Sequence, residues 1–536
     1  MESAIESTSA ARSRASEESI PMSLVAEQND VGRGQAPRLG LLLSVMCIAL
    51  ALVIGATSSL SLALPDLAVD TGATQTQLTW IVNAYALVFA ALLLPIGFAA
   101  DRFGRRPFLV VGLLLFGLAS LGSALTTDPV VIIALRGLAG VGAAAVMPAT
   151  LSVLVDAYPE DKRSLAISVW AGVSGAGAMV GIVAAGLLLE GSGWSSIQVV
   201  YGAAAVLAAL ACGVIVPQSR NPDLRQDIAG GVLSAAGLFL LVYGIIEGPE
   251  QGWTDPLTLG GLVAGTALLG AFVVVELRLD RPMLDVRLFR HPGVAAGSLL
   301  VFLQFFAAFG FFFLAPQWLQ YVEGQTPLQS ALWLLPMAVG IAPASRFGPY
   351  LLTRWGARAM STVGMLLMAG CYASFATLAD ASLSLWFFAA SLVVFGFGFG
   401  LAITPGTSLI IEGLPEDRRT LSAAVNDVTR EVGGALGSAV AASILLAVYS
   451  DRLAPATQPL PGSAAETAEE GLTQALGVAD QLGAQGADLA QSALGSFADG
   501  YSAALWVACL ALTGGAALCF KLAPSRKEPD QERTVS

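Results

Sequence analysis

The sequence predicts an all-α polytopic membrane protein of fourteen spans, and three observations predict it. Apolar runs of about 20 residues recur along the chain, each long enough to cross a hydrocarbon core of about 30 Å as a helix. Basic residues gather in alternate connections between those runs. Short polar motifs return roughly 250 residues apart, so two halves of the chain share one orientation.

At 536 residues a soluble chain would divide into several domains. A composition that is 55% hydrophobic and 12% charged, with mean hydropathy +0.72, overrides that reading. In lipid every backbone N–H and C=O must be bonded inside the chain, and runs of this length satisfy them as helices. Residues 1–38, rich in Ser, Ala, Glu and Arg, are predicted as a disordered cytoplasmic tail. The first apolar run begins near Gly40 and reads as a permanent span, not a cleaved signal. Six spans are expected near 40–64, 78–100, 107–125, 130–155, 166–189 and 197–216, then two near 229–247 and 257–275. Six more are expected near 293–320, 328–351, 359–378, 385–411, 422–449 and 502–521, followed by a short cytoplasmic tail, 522–536.

Charge placement tests this topology. With the N-terminus cytoplasmic, 23 of the 27 Lys and Arg residues fall in inner segments. Arg136, Arg346 and Arg430 lie within spans, and Arg452 alone lies outside. The positive-inside rule therefore places both termini on the cytoplasmic side of a cell membrane. The net charge of -12 reflects acidic outer segments, through Glu190, Glu247, Glu250, Asp255, Glu323 and Asp380. All five cysteines fall inside apolar runs without close pairs, and the single histidine, His291, sits at a loop edge beside Arg290 and Pro292. No disulfide framework, metal site or cofactor follows from that inventory.

The repeat fixes the architecture. Tyr158-Pro159-Glu160-Asp161-Lys162-Arg163-Ser164-Leu165 returns as Leu414-Pro415-Glu416-Asp417-Arg418-Arg419-Thr420-Leu421, 256 residues later. Arg102-Phe103-Gly104-Arg105-Arg106 is echoed by Arg354-Trp355-Gly356-Ala357-Arg358, and Met147-Pro148-Ala149-Thr150 by Thr404-Pro405-Gly406-Thr407. Spans four and five thus correspond to spans twelve and thirteen. Each repeat steps over eight spans.

Gly97-Phe98-Ala99-Ala100-Asp101-Arg102-Phe103-Gly104-Arg105-Arg106 closely resembles the loop between the second and third helices of major facilitator superfamily transporters. Gly244-Ile245-Ile246-Glu247-Gly248-Pro249, Glu276-Leu277-Arg278 and Arg281-Pro282-Met283-Leu284-Asp285 are similar to the fourteen-helix drug:proton antiporter branch. The resemblance runs from about Gly40 to Phe520. It implies a six-helix bundle over 39–217, two inserted helices over 226–276, and a second bundle over 292–521 with a long outer loop, 450–501. It also implies a monomer in the lipid bilayer, without nucleic acid, that exports a lipophilic or amphiphilic small molecule in exchange for protons. Import of a metabolite on the same fold is the first rival. A membrane-embedded enzyme is the second, and no nucleophile, metal ligands or acid pair at lipid depth support it.

Within the resemblance, Gly97, Asp101, Arg102, Gly104, Arg105 and Arg106 match a conformational gate, although a plain topology anchor would use the same cations. Arg136 is the sharpest intramembrane signal, because a guanidinium at bilayer depth costs several kcal/mol unless it faces the bundle interior or a partner. Leu135-Arg136-Gly137-Leu138-Ala139-Gly140-Val141-Gly142 resembles a family motif linked to proton transfer, with Ala139 where Gln is usual; snorkelling to the interface is the competing reading. Gly175, Gly177, Gly181 and Gly186 permit close helix packing but lack the proline of the family's antiporter motif. Related exporters carry an aspartate in the first span where this chain has Ala56. Proton coupling therefore falls to Asp427 and Glu431 beside Arg430, which could equally form a structural ion-pair cluster; Asp66 and Asp70 are weaker candidates.

A substrate cavity is expected between the halves. Trp80, Asn83 and Tyr85 in the second span match a family pattern, while Gln304, Phe305, Gln317, Trp318, Gln320 and Tyr321 put amides and rings on the ninth. Such groups suit a large, partly apolar ligand, and the same aromatics could simply pack against neighbouring helices. In the outer loop, Leu472, Leu476, Ala479, Leu482 and Leu489 recur at helical spacing, which fits either an amphipathic helix on the membrane surface or a mobile Ala-rich loop.

Overall fold

The computed structural model describes residues 22–219, 227–279, 282, 284–378, 384–413 and 421–523; within these, side chains are described except at 22–38, 421–424 and part of 160–176. The described residues form sixteen α-helices and no strand. These are α1 (Met22–Leu62), α2 (Leu64–Thr71), α3 (Gln75–Phe103), α4 (Arg105–Ser123), α5 (Pro129–Ala157), α6 (Glu160–Ile215), α7 (Ile228–Gln251) and α8 (Pro256–Arg278). The second half continues with α9 (Pro292–Tyr321), α10 (Pro327–Leu334), α11 (Pro336–Leu378), α12 (Leu385–Gly413), α13 (Leu421–Thr457), α14 (Gly462–Glu469), α15 (Leu472–Leu482) and α16 (Ala487–Leu522).

Twelve helical segments among the described residues are long and apolar enough to cross a membrane. Two of them are broken by glycines in backbone conformations that L side chains rarely adopt, Gly193 in α6 (φ 67°, ψ 175°) and Gly356 in α11 (φ 80°, ψ 161°). Each break separates two spans, which gives the fourteen expected. Gly104 (φ 125°, ψ 128°) makes the turn between α3 and α4 that Gly356 makes 252 residues later. The repeat extends to helix starts as well. Thr74 and Gln77 form a capping box at α3, and Thr326 and Gln329 form the same box at α10.

In the first half α1 packs on α6, α3 on α5, and α4 on both α5 and α6; in the second, α9 packs on α12 and α13, and α16 on α11 and α13. The inserted helices α7 and α8 pair with each other, and α7 also touches α3 and α13, one from each half. Gly181 shows how closely the helices approach. A Cβ there would lie 2.7 Å from Gly55 Cα, so α1 and α6 meet backbone to backbone.

Two segments differ from expectation. Helix α1 begins at Met22, inside the predicted disordered tail, because a helix already nucleated by the span propagates readily through Leu24, Ala26 and Glu27; residues 1–21 and 524–536 lie outside the described residues. Much of the outer segment 450–501 is helical, since α13 runs to Thr457 and α16 starts at Ala487. Between them α14 and α15 fold back onto the protein. Leu472, Ala475, Ala479 and Leu489 are buried, while Leu482 is exposed.

Candidate functional site

The two ends of the bundle are chemically distinct. One bears the Arg102 and Arg354 turns and is called the basic end; the other bears Asp66, Asp70, Glu247 and Glu323 and is called the acidic end. At the basic end Arg105 gathers the first half. It donates from Nε to Asp101 Oδ1 at 2.6 Å, pairs with Asp156, and reaches Ser152 O at 3.2 Å and Ser219 Oγ at 3.3 Å. Ser219 Oγ in turn donates to Asp156 Oδ2 at 2.9 Å, and Arg106 donates to the Gly213 carbonyl. Arg102 lies over the Phe103 ring, and Gly97 passes Pro148 at contact distance. Each of these partners belongs to the first half; among the described residues, Asp101 does not reach across to the second.

About two turns into α5, Arg136 is 2% exposed. Its Nε donates to Ile81 O at 3.1 Å and its guanidinium carbon sits 4.4 Å from the Tyr85 ring centre, while Nη2 has no partner among the described residues. Facing the bundle interior under an aromatic ring, it is no snorkelling side chain. Tyr85 is itself held by a 2.8 Å bond to Val53 O and lies within Coulombic reach of Glu431. On α13, Arg430 Nη2 lies 3.0 Å from Glu431 Oε1 and 3.5 Å from Met147 Sδ of the first half. Its guanidinium stands over Phe305, whose ring meets Phe399 edge-on at 5.5 Å. Asp427 is close enough to Arg430 for their charges to interact. Arg136 and Tyr85 of the first half and Glu431, Arg430 and Asp427 of the second therefore form a buried charged string on the two sides of the seam, which Arg430 crosses to Met147.

The remaining cavity candidates divide. Gln304 is buried beside this string, donating to Phe399 O, with its Oε1 unpaired among the described residues. Asn83 accepts a 2.7 Å bond from Ser438 and so ties α3 to α13. Gln317 faces Gln75 at 3.5 Å, Gln320 donates to Leu62 O at 2.9 Å and Tyr321 bonds Thr473 at 2.6 Å, all at the acidic end. Trp318 is stacked between Phe388 and Tyr501 inside the second half. Trp80 turns toward the inserted pair, donating to Glu247 Oε1 at 2.7 Å beside Phe239 and Tyr243. Sequence reasoning missed that pairing, although Glu247 is the acid that closes the apolar stretch of α7.

Gly186 brings α6 against α10, where a Cβ would meet Leu328 Cα and Ala331 Cβ at 3.0 Å, and Gly177 packs less tightly on Ile54. The surroundings of Gly175 lie outside the described residues. Asp66 Oδ2 accepts from Trp194 N at 2.9 Å, bracing the Gly193 break, and burial pushes its carboxyl above the usual carboxylate range. One turn on from Ala56, Ser59 bonds Tyr201 at 2.7 Å and donates to Gly181 O at 2.9 Å.

Hydrogen bonds between the halves, among the described residues, lie at the acidic end and at mid-depth. Besides those of Gln317 and Gln320, Gln75 N donates to Glu470 O at 3.0 Å and Gln474 donates to Ala73 O. Among the described residues, hydrogen bonds join the halves at the acidic end and around the charged middle, and none does so at the basic end. The profile of the Major Facilitator Superfamily matches residues 46–438 of this sequence. The chain belongs to the major facilitator superfamily. This facilitator is 30% identical over 519 residues to the tetracenomycin C resistance and export protein of Streptomyces glaucescens, covering 93% of this chain and 94% of that one. It is 34% identical to the puromycin resistance protein pur8 of Streptomyces alboniger, over 78% of this chain and 84% of that one. Among solved structures, an inward-facing, unoccupied bacterial homolog of the human lysosomal transporter Spinster superposes with a TM-score of 0.64 at 17% identity, covering 91% of this facilitator and 97% of that chain. At that identity the likeness concerns the fold alone.

Proposed function

We propose that this facilitator exports a lipophilic or amphiphilic drug-like compound across the cell membrane in exchange for protons. What carries the reading is the buried charged string from Arg136 to Asp427, in a chain 30% identical along nearly its whole length to a resistance and export protein. The basic end is cytoplasmic and both termini lie on that side. The working units are 39–217, 226–276 and 292–521, and the chain acts as a monomer. In the proposed cycle the site between the halves loads from the cytoplasm. Rocking of the halves would then break the acidic-end bonds and bring Asp101 and its partners against the second half. Glu431, paired with Arg430, is the group we assign to proton exchange, with Arg136 holding the charge balance across the seam. Import of a metabolite is the second reading, favoured by Ala56 in place of a first-span acid.

The test is purified protein in liposomes under an imposed proton gradient, with internal pH and dye movement followed together. Export predicts proton entry on adding substrate; dye flux indifferent to the gradient would remove proton coupling, and accumulation down the opposite vector would favour import. Arg136→Ala is expected to abolish coupled transport with the thermal unfolding transition retained, and Arg136→Lys to retain part of it. Normal transport by Arg136→Ala would exclude the assigned role.

A further inference from the structure

The inserted pair lies against both halves but is fastened to one of them. α7 and α8 first interlock with each other. A Cβ on Gly265 would lie 2.5 Å from Leu241 N, and one on Gly244 would lie 2.7 Å from Leu262 Cγ, so neither helix shifts along the other without a clash. Toward the first half, α7 is held near both ends. At the acidic end Glu247 Oε1 accepts from the Trp80 indole at 2.7 Å, and the Trp80 ring lies 6.1 Å from that of Phe239 and 6.0 Å from that of Tyr243. Near the basic end a Cβ on Gly231 would lie 3.4 Å from Pro95 Cβ.

Toward the second half the contact is of another kind. Val432, Leu436 and Ala439 of α13 form a stripe along one helix face and join Leu238, Val242 and Ile246 of α7 in an apolar cluster. Among the described residues, no hydrogen bond, ion pair or ring pair links α7 to α13, and Ser438 of α13 bonds Asn83 of α3 instead. Apolar contact is non-directional, so one helix can shift along the other with no bond to break. The second half otherwise meets the pair at the basic end, through the 3₁₀ turn Val286–Arg290. There Arg287 Nη2 donates to Leu277 O of α8 at 2.6 Å, and Leu288 sits beside Val294, Ile410 and Val425. We infer that the α7–α8 pair travels with the first half when the halves rock, fastened by Trp80 and Glu247 as positioning residues, while α13 slides along α7 and the 286–290 turn acts as a pivot. Two rocking halves are all that this requires, whatever the cargo and whichever way it moves.

The experiment locks one contact at a time. In protein whose five native cysteines are replaced by alanine, Pro95→Cys is combined with Gly231→Cys across α3 and α7, and Leu238→Cys with Val432→Cys across α7 and α13. The first pair has about the Cβ spacing that a disulfide needs. Each pair is closed with copper phenanthroline, verified by mass spectrometry and reopened with dithiothreitol, and efflux of the dye Hoechst 33342 is followed in proteoliposomes. We expect efflux to stay within about twofold when α3 is locked to α7, and to fall about tenfold, reversibly, when α7 is locked to α13. Arrest by the first lock alone would place the pair on the second half, and arrest by both or by neither would also overturn the assignment. Glu247→Leu should lower efflux about fivefold and Glu247→Gln, which keeps an acceptor for the indole, should restore it. The 95–231 disulfide should rescue Glu247→Leu, because it fastens the pair by another bond; failure of that rescue would remove Glu247 as a positioning residue. Should the unlocked protein move no dye, the export reading falls, and amide hydrogen exchange at 71–77 decides instead, since only the 238–432 lock is expected to slow it.

Discussion

The basic-end turn of the first half and its counterpart in the second share a backbone but not a charge network. Gly104 and Gly356 both take conformations reserved for glycine, and Arg102 and Arg106 are matched by Arg354 and Arg358. Around the first turn Arg105 is bonded to Asp101 and Asp156 at once. Around the second, Ala357 stands where Arg105 would be and Thr353 where Asp101 would be. Among the described residues, Arg354 donates to Tyr350 Oη at 3.3 Å and Arg358 to the Ala523 carbonyl at 2.9 Å, and neither meets a carboxylate. Duplication preserved the turn, and Asp101 has no acidic counterpart at Thr353. The gate proposed above is therefore asymmetric, with its switch in the first half and a surface for it in the second.

The largest effect on stability is expected at what the two turns share. Gly104→Ala and Gly356→Ala should each cost about 1–3 kcal/mol, read as a lower unfolding temperature in detergent, because both place a Cβ in a strained backbone region. If just one of them destabilised the protein, the shared backbone would not be a shared constraint. Next comes the difference between the turns, which Asp101→Asn attacks directly. A change of about 1.4 kcal/mol in the balance between conformations alters their ratio about tenfold, so dye efflux is expected to fall by about that factor. Thr353→Asp should leave efflux within about twofold of wild type, a change of well under 1 kcal/mol; equal losses in the two variants would make the halves equivalent. The smallest effect is expected from Arg358→Ala, about 1 kcal/mol for one hydrogen bond to a carbonyl, with transport retained.

The legible part of this molecule was the part written in periodicity and repetition. The breaks at Gly193 and Gly356 fall between the spans expected at 166–189 and 197–216, and at 328–351 and 359–378. The aromatic and amide candidates were less legible. Trp318, Gln320 and Tyr321 are neighbours in sequence, yet one is stacked in the second-half core and the others close the acidic end. A span exposes its successive residues to different neighbours, and the sequence does not say which face meets a chamber, a helix or lipid.

By itself the sequence determined that the chain is a polytopic bundle of helices, where its spans fall, and that the two halves are related, because lipid thickness and repeated motifs act on each segment locally. Only the tertiary structure decided that Trp80 reaches Glu247, that Arg136 lies under Tyr85, and that α7 covers the seam between α3 and α13. Those pairings join residues far apart along the chain, and they depend on how whole helices rotate and lean against one another. No local pattern encodes that angle.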